Sequence, residues 1–371
     1  MKYLFINSVY GKGSTGKIIA DKCHELIQDG HNCTVAYGRD AINDNKVELI
    51  RIGHCIDFYF HGFISRLFDR HGFCSKYATR RFLKRIKNSQ FDVIWLHNLH
   101  GYYINIEMLF LWLKKNPQIK VFWTLHDCWA FTGHCAHFSA MKCNQWQSYC
   151  SDCPQLRCYP TCIGIGNVKN NFFRKKNSFI GVKDLTLVTP SQWLAELVTY
   201  SFLKDYPIKV CHNTINSEIF KPTPGNFREK YHMEKRFIVL GVANVWDEHK
   251  GLYDFYQLAE MLNNKYAVML VGLSEKQIKK LPRNIIGITK INNQSELAEI
   301  YTAADVFVNP THQDNFPTVN LEARACGTPV ITYNVGGSPE SAGGKYVVEE
   351  NDIEGLVEMI KRLCCRRFLE E

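Results

Sequence analysis

Two carboxylates, Asp314 and Glu322, stand eight positions apart between the apolar runs Val306-Phe-Val-Asn309 and Val330-Ile-Thr-Tyr333. Pro317 suits the first turn of a helix, Gly327 a helix stop, and Pro329 precedes the next strand. The loop Gln313-Asp314-Asn315-Phe316 therefore lies at the carboxyl end of a strand and the amino end of a helix. Open α/β sheets bind ligands at such edges, and the amides there suit a diphosphate. Asp314 in the loop and Glu322 on the helix can both accept hydrogen bonds from ribose or sugar hydroxyls. A cation, Lys250, follows the strand Val239 to Val242 within Asp247-Glu-His-Lys-Gly251.

Gly11-Lys-Gly13-Ser-Thr-Gly-Lys17 opens the first helix after the first strand and reads both as G-x-G-x-x-G and as G-x-x-x-x-G-K. Both are phosphate-cradle patterns. A P-loop needs a Ser or Thr hydroxyl for magnesium where Ile18 stands. A dinucleotide site needs an acid closing the second strand, and Asp40 follows Gly38-Arg39 instead. The readings left are a tight strand-to-helix turn, a loop whose Gly13 faces a donor sugar or phosphate and, matching less well, a dinucleotide site.

Cys135, Cys143, Cys150 and Cys153 form a second cluster, its last pair a C-x-x-C. Four thiolates would saturate a tetrahedral structural zinc, although the upstream spacings match no common finger. Disulfides and free thiols are the other readings. With 15 cysteines and no secretory leader in Met1-Lys-Tyr-Leu-Phe-Ile, a reducing cytoplasmic location is expected.

The elements that position these residues are legible as alternating strands and helices. Twelve short apolar runs begin near Tyr3, Cys33, Val93, Val121, Leu185, Ile208, Phe237, Ala267, Ile285, Val306, Val330 and Tyr346. Continuous rather than alternating apolarity indicates strands buried on both faces, hence parallel sheets covered by helices. The polar stretch Phe220-Lys-Pro-Thr-Pro-Gly-Asn226 breaks the rhythm, so a hinge is placed near 212–234. The expected architecture is two doubly wound, Rossmann-like α/β domains facing a cleft. They span 1–212, with a cysteine-rich insertion near 128–162, and 213–355. A C-terminal helix over 356–371 is expected to return to the first domain.

The 371 residues are 46% hydrophobic and 22% charged, with a net charge of +9. No apolar run approaches the ~20 residues of a membrane span. Arg51 to Lys87 holds nine Lys/Arg against Asp57 and Asp69, interleaved with Phe58, Tyr59, Phe60, Phe63, Phe68, Phe73, Tyr77 and Phe82. An ordinary solvated helix with a core stripe and a peripheral contact with the inner face of a membrane both fit. Nucleic acid is not expected, because no recognised nucleic-acid module accompanies the charge.

The segment Asp314 to Val330 resembles the E-x7-E element of the retaining GT-B glycosyltransferases of family GT4, with Ala323-Arg-Ala-Cys-Gly-Thr-Pro-Val330 following as in the family. Asn213-Thr-Ile-Asn-Ser-Glu-Ile-Phe220 resembles its interdomain linker and Pro190-Ser-Gln-Trp-Leu194 the turn before it. The resemblance implies roles. Glu322 binds the nucleotide ribose and Asp314 the donor sugar. Asn315 and Phe316 supply amides beside Pro317, and Lys250 holds the diphosphate. Gly336 and Gly337, in Gly-Gly-Ser-Pro-Glu340, face the base and phosphate end. His126, in Thr124-Leu-His-Asp127, sits near the transferred sugar. The Arg the family often carries is replaced by Asn244 or Val245, and Asn244 counts among the donor-binding positions.

The cysteine block resembles a branch of bacterial capsule, exopolysaccharide and lipopolysaccharide glycosyltransferases, where it lies by the acceptor. The implied activity is sugar transfer from a nucleoside diphosphate sugar, UDP or GDP based, to a glycan or undecaprenyl-diphosphate-linked acceptor. Catalysis then needs no cofactor. The rival readings are a sugar-nucleotide epimerase and a degenerate binding subunit, the latter favoured by the missing Arg and by Asp in place of Glu.

Overall fold

The computed structural model describes residues 1–291 and 293–367, so the end of the expected 356–371 segment lies outside the described residues. The chain divides after His212 into two compact units.

The first unit holds seven strands: β1 (Lys2–Tyr10), β2 (Asn32–Ala41), β3 (Glu48–Arg51), β4 (Val93–Leu96), β5 (Lys120–Thr124), β6 (Leu185–Thr189) and β7 (Ile208–Val210). Every pairing is parallel, in the order β3-β2-β1-β4-β5-β6-β7. The second unit holds β8 (Phe237–Val242), β9 (Tyr266–Leu273), β10 (Ile285–Thr289), β11 (Val306–Asn309), β12 (Val330–Tyr333) and β13 (Tyr346–Val348). Its sheet is also parallel, in the order β10-β9-β8-β11-β12-β13. Both orders are doubly wound. In each the chain reverses its direction of travel across the sheet at one place, between β1 and β4 and between β8 and β11.

All twelve apolar runs are strands. Their continuity has the anticipated cause: in β8, Phe237 and Val239 pack one layer with Trp246, Phe255 and Leu258, while Ile238 and Leu240 pack the other with Phe220, Tyr301 and Ala323. A strand between two helical layers needs apolar side chains on both faces. The thirteenth strand, β3, is absent from the sequence reading because it is an edge of four residues, Glu-Leu-Ile-Arg, with only Ile50 fully buried. Asp40 lies inside β2, which continues to Ala41, so the strand reaches further than the Gly38-Arg39 pair suggests. The helix Ile353–Arg367 buries Leu356, Val357, Ile360 and Cys364 in the core of its own unit.

The basic, aromatic stretch resolves into two different helices. Lys76–Ile86 turns Ala78, Phe82, Leu83 and Ile86 inward and exposes Arg80, Arg81, Lys84 and Arg85. That is an ordinary solvated helix with a core stripe. Cys55–Phe68 is inverted. It buries only His61, Gly62 and Ser65, and leaves Ile56 81%, Tyr59 72%, Phe60 61% and Phe63 59% exposed. These four fall at helical i, i+3, i+4 and i+7 spacing and form one outward stripe. Among the described residues no helix is long and apolar enough to cross a membrane.

Candidate functional site

Lys250 and Asp314 meet where the second sheet reverses. Lys250 ends a short 3-10 turn, Glu248–Lys250, that follows β8. The Asp247 side chain caps this turn by accepting from the Lys250 amide at 3.0 Å. Asp314 stands in the loop that follows β11. Lys250 Nζ donates to Asp314 Oδ2 at 2.6 Å. The turn and the loop are also joined through their backbones. Gly251, at φ +73°, lies so close to Pro310 that a Cβ would stand 2.3 Å from the Pro310 carbonyl oxygen. Only glycine suits that conformation and that approach.

Glu322 projects from the helix Thr318–Ala325. Its Oε2 accepts from Tyr301 Oη at 3.0 Å. Tyr301 is fully buried, and burial together with the Glu322 carboxylate pushes its phenol well above the ordinary range. It is therefore a fixed donor that sets the carboxylate's direction. Pro317 occupies the cap position just before this helix rather than its first turn, with ψ 121°. Asn315 and Phe316 are buried in the preceding loop, and the Phe316 carbonyl accepts from Asn213 Nδ2 at 3.2 Å.

Gly336, at φ +58°, and Gly337 close the loop after β12, and Gly337 caps the five-residue helix Ser338–Ala342. Asn244 is exposed in the loop after β8, which is anchored instead by Trp246 Nε1 donating to the Val271 carbonyl at 2.8 Å. The second-unit residues expected at the donor site thus all belong to loops and helix starts after β8, β11 and β12, three neighbouring strands, except Glu322 further along its helix.

Sequence reasoning missed the residue that ties those loops together. Asn320, fully buried, accepts from Asn309 Nδ2 at 2.9 Å and donates through Nδ2 to Ser341 Oγ at 2.8 Å and Ser338 Oγ at 3.2 Å. Thr332 Oγ1 adds a 2.6 Å contact to Ser338 Oγ. An asparagine on a polar helix face carries no signal of such a role. Only the fold turns it toward β11 and the Ser338 helix.

In the first unit, Gly11 and Gly13 take positive φ, and the Gly11 amide donates to the Gly16 carbonyl at 2.9 Å. A Cβ at Gly16 would press on the backbone of Gly11, whereas Gly13 faces open space. The loop therefore has the geometry of a tight strand-to-helix turn with one open glycine. His126 follows β5. Its Nε2 lies 2.9 Å from His97 Nδ1, the rings stacked at 5.2 Å. Burial pushes His126 down to about 4, so it is a neutral imidazole at neutral pH, suited to hydrogen bonding rather than to proton donation.

Beside this pair, His100 bridges two groups that sequence reasoning did not single out as site residues. Its Nε2 is 2.8 Å from Asp127 Oδ2 and its Nδ1 3.0 Å from Tyr159 Oη. Burial alone would raise the Asp127 carboxyl, but His100 and the Trp129 amide outweigh it and hold it below the usual carboxylate range. His97 and His100 lie in the loop after β4, a histidine-rich stretch whose spacing alone matches no motif.

The four cysteines of the insertion carry no disulfide. The thiols of Cys135 and Cys153 interact, which holds Cys153 below the ordinary thiol range, and the Gly133 amide donates to Cys150 Sγ at 3.2 Å. Among the described residues, no three His, Cys, Asp or Glu side chains are placed to hold a metal ion.

Residues 236–366 match the family model described as glycosyl transferases group 1. Over 97% of its length and 90% of the relative's, the chain is 24% identical to a putative colanic acid biosynthesis glycosyl transferase, WcaC, of Escherichia coli K12. It resembles sucrose-phosphate synthase of Thermosynechococcus elongatus with a TM-score of 0.68 at 15% identity, over 98% of this chain and 90% of that one. It resembles Anabaena HepE, solved in complex with UDP, with a TM-score of 0.63 at 15% identity, over 98% and 89%. Residues 236–366 thus carry the likeness to the group 1 glycosyl transferases, and the doubly wound order in both units, with a structural likeness that spans nearly the whole chain, shows a GT-B fold.

Proposed function

We propose that the protein transfers a sugar from a nucleoside diphosphate sugar to a hydroxyl of a lipid-linked glycan in bacterial surface polysaccharide synthesis, with retention at the anomeric carbon. The observation that carries this reading is the Lys250–Asp314 pair at the reversal of the second sheet, with Glu322 directed by Tyr301 from the adjoining helix. Lys250 compensates the diphosphate charge, Glu322 accepts from the ribose hydroxyls, and Asp314 reads the sugar. The bond from the anomeric carbon to the diphosphate oxygen breaks and that to the acceptor oxygen forms. The acceptor proton passes to the departing diphosphate, and the nucleoside diphosphate leaves. Charge grows on the leaving oxygen, so a preformed cation there lowers the barrier. The likeness to HepE, solved with UDP, favours UDP as the base carrier, and the colanic acid relative favours a surface polysaccharide.

The outward stripe on Cys55–Phe68 supports the lipid-linked part of the reading. Four apolar side chains face solvent, with exposed Arg66 and Arg70 nearby and an exposed basic face on Lys76–Ile86. Of the two acids in the stretch, Asp69 is buried and Asp57 accepts from the His54 amide. The surface is thus apolar and cationic, as anionic lipid requires.

Calorimetry with UDP and GDP, followed by incubation with UDP-sugars in the absence of acceptor, tests the proposal. Binding of one nucleotide with donor that is stable or slowly hydrolysed is expected. Epimerised donor would move the assignment to an epimerase, and no binding at millimolar nucleotide would leave only a binding subunit.

A further inference from the structure

His312 holds the donor loop from behind, and neither its position nor its type is part of the reading above. Its two ring nitrogens face two carboxylates: Nε2 lies 2.9 Å from Asp254 Oδ2 and Nδ1 2.9 Å from Glu350 Oε1. A neutral imidazole can donate from only one nitrogen, so donating to both requires the imidazolium. The three groups come from three elements: the helix Leu252–Met261, the loop after β11 and the turn after β13. Tyr333, at the end of β12, donates to the remaining Asp254 oxygen, Oδ1, at 3.1 Å, and its ring lies 5.5 Å from that of His312. Asp352 adds negative charge near Tyr333. The titratable groups around the imidazolium are therefore Asp254, Glu350 and Tyr333, with Asp352 behind.

The backbone of the same residue reaches the other half of the site. The His312 amide donates to the His249 carbonyl at 2.9 Å, and Thr311 Oγ1 donates to the same oxygen at 3.1 Å. His249 is the neighbour of Lys250, and His312 is two residues from Asp314. His312, together with Thr311, thus ties the loop carrying the carboxylate to the turn carrying the cation.

We infer that His312 is a positioning residue of the donor site: as an imidazolium held by Asp254 and Glu350, it sets the Lys250–Asp314 geometry, and donor affinity follows its protonation. This rests on the donor site proposed above. The two carboxylates outweigh burial and push His312 up to about 9, so the bridge is intact at neutral pH and lost as the pH rises through that value.

The test has two readouts on the full chain. The first is the His312 ring proton signal followed by NMR against pH. It should titrate near 9 in the native protein and move toward the ordinary histidine range in an Asp254→Asn, Glu350→Gln variant. The second is UDP affinity by calorimetry between pH 7 and 10 for the native protein and His312→Gln. The variant is expected to bind about tenfold more weakly at pH 7, and the two curves should converge above pH 9. The uracil ring also ionises at high pH, but this is common to both proteins and cancels in the comparison.

A His312 that titrates near 6.5 overturns the bridge itself. A His312 that titrates near 9 while the variant binds UDP as well as the native protein overturns its link to the donor site. A native protein that binds neither UDP nor GDP overturns the donor site, and the positioning role with it. Should His312→Gln fold poorly, His312→Lys, which keeps the charge and loses one of the two contacts, should recover part of the affinity and lose the step near pH 9.

Discussion

Lys250 Nζ donates to Asp314 Oδ2 at 2.6 Å, so the cation assigned to the diphosphate is held by a carboxylate of the same unit. On the proposed assignment, a diphosphate entering the site would meet a lysine already oriented and partly neutralised. The two halves of the pair should therefore fail differently. Lys250→Ala should lower kcat/KM by about 100-fold, the scale for removing a group that stabilises developing charge. Asp314→Asn frees the lysine, so UDP should bind at least as tightly as before while turnover of the UDP-sugar falls. Parallel calorimetry with UDP and initial rates with the sugar nucleotide separate these effects. Weaker UDP binding in Asp314→Asn would show that the carboxylate supports the nucleotide rather than the sugar.

Tyr301 directs Glu322 with one hydrogen bond at 3.0 Å from a fully buried phenol. Tyr301→Phe keeps the packing and removes the donor, a change of about 1.5 to 3 kcal/mol in a bond to a charged group. UDP affinity should drop several-fold, and further in Glu322→Ala. Comparing UDP with its 2′,3′-dideoxy analogue checks the assignment, because Glu322→Ala should bind the two almost equally. A variant that still discriminates between them leaves the ribose to another residue.

Asn320 is saturated by Asn309, Ser338 and Ser341 in a site from which water is excluded. Its truncation strands several polar groups at once. Asn320→Ala should cost about 2 to 3 kcal/mol, read as a lower urea midpoint for the transition of the second unit. Asn320→Asp should be of similar cost, since a carboxylate cannot donate to the two serines. A loss below about 0.5 kcal/mol in both would remove the hub role.

His312 also links stability to pH. Its folded-state value, about 9, lies above the ordinary histidine value of 6.5. The contribution is complete below pH 6.5 and disappears as the pH rises to about 9, because there the folded state holds a proton the unfolded chain has released. With a discount for its partial exposure, the native protein should exceed His312→Gln by about 2 kcal/mol at pH 6, and the gap should close by pH 10. Thermal melts of both proteins across that range measure it, and a constant gap would mean that the residue contributes packing alone.

The stripe Ile56, Tyr59, Phe60 and Phe63 is expected to enter an anionic bilayer surface. Phe60→Asp with Phe63→Ser should weaken sedimentation with phosphatidylglycerol vesicles by at least tenfold while UDP binding stays constant. Retention of binding by this double variant would assign the stripe to a protein partner instead.

Twelve of the thirteen strands among the described residues were legible in the sequence because a strand covered on both faces must be apolar throughout, and the division near residue 212 because a polar, proline-containing stretch interrupts that rhythm. That is a local property, and β3 escaped because an edge does not share it. The placing of Asp314 in a loop after a strand and of Glu322 on the helix that follows was legible through their spacing, while Lys250 was singled out through the family resemblance. What the sequence could not contain was which strand ends adjoin. Lys250 and Asp314 are 64 positions apart and meet because the second sheet reverses between β8 and β11. Asn320, His312 and His100 take their roles from partners on other elements, and one histidine or asparagine resembles another until the fold supplies those partners. The inverted helix makes the same point: composition marked Arg51 to Lys87 as basic and aromatic, but only packing decided that Phe82 turns inward and Phe60 outward.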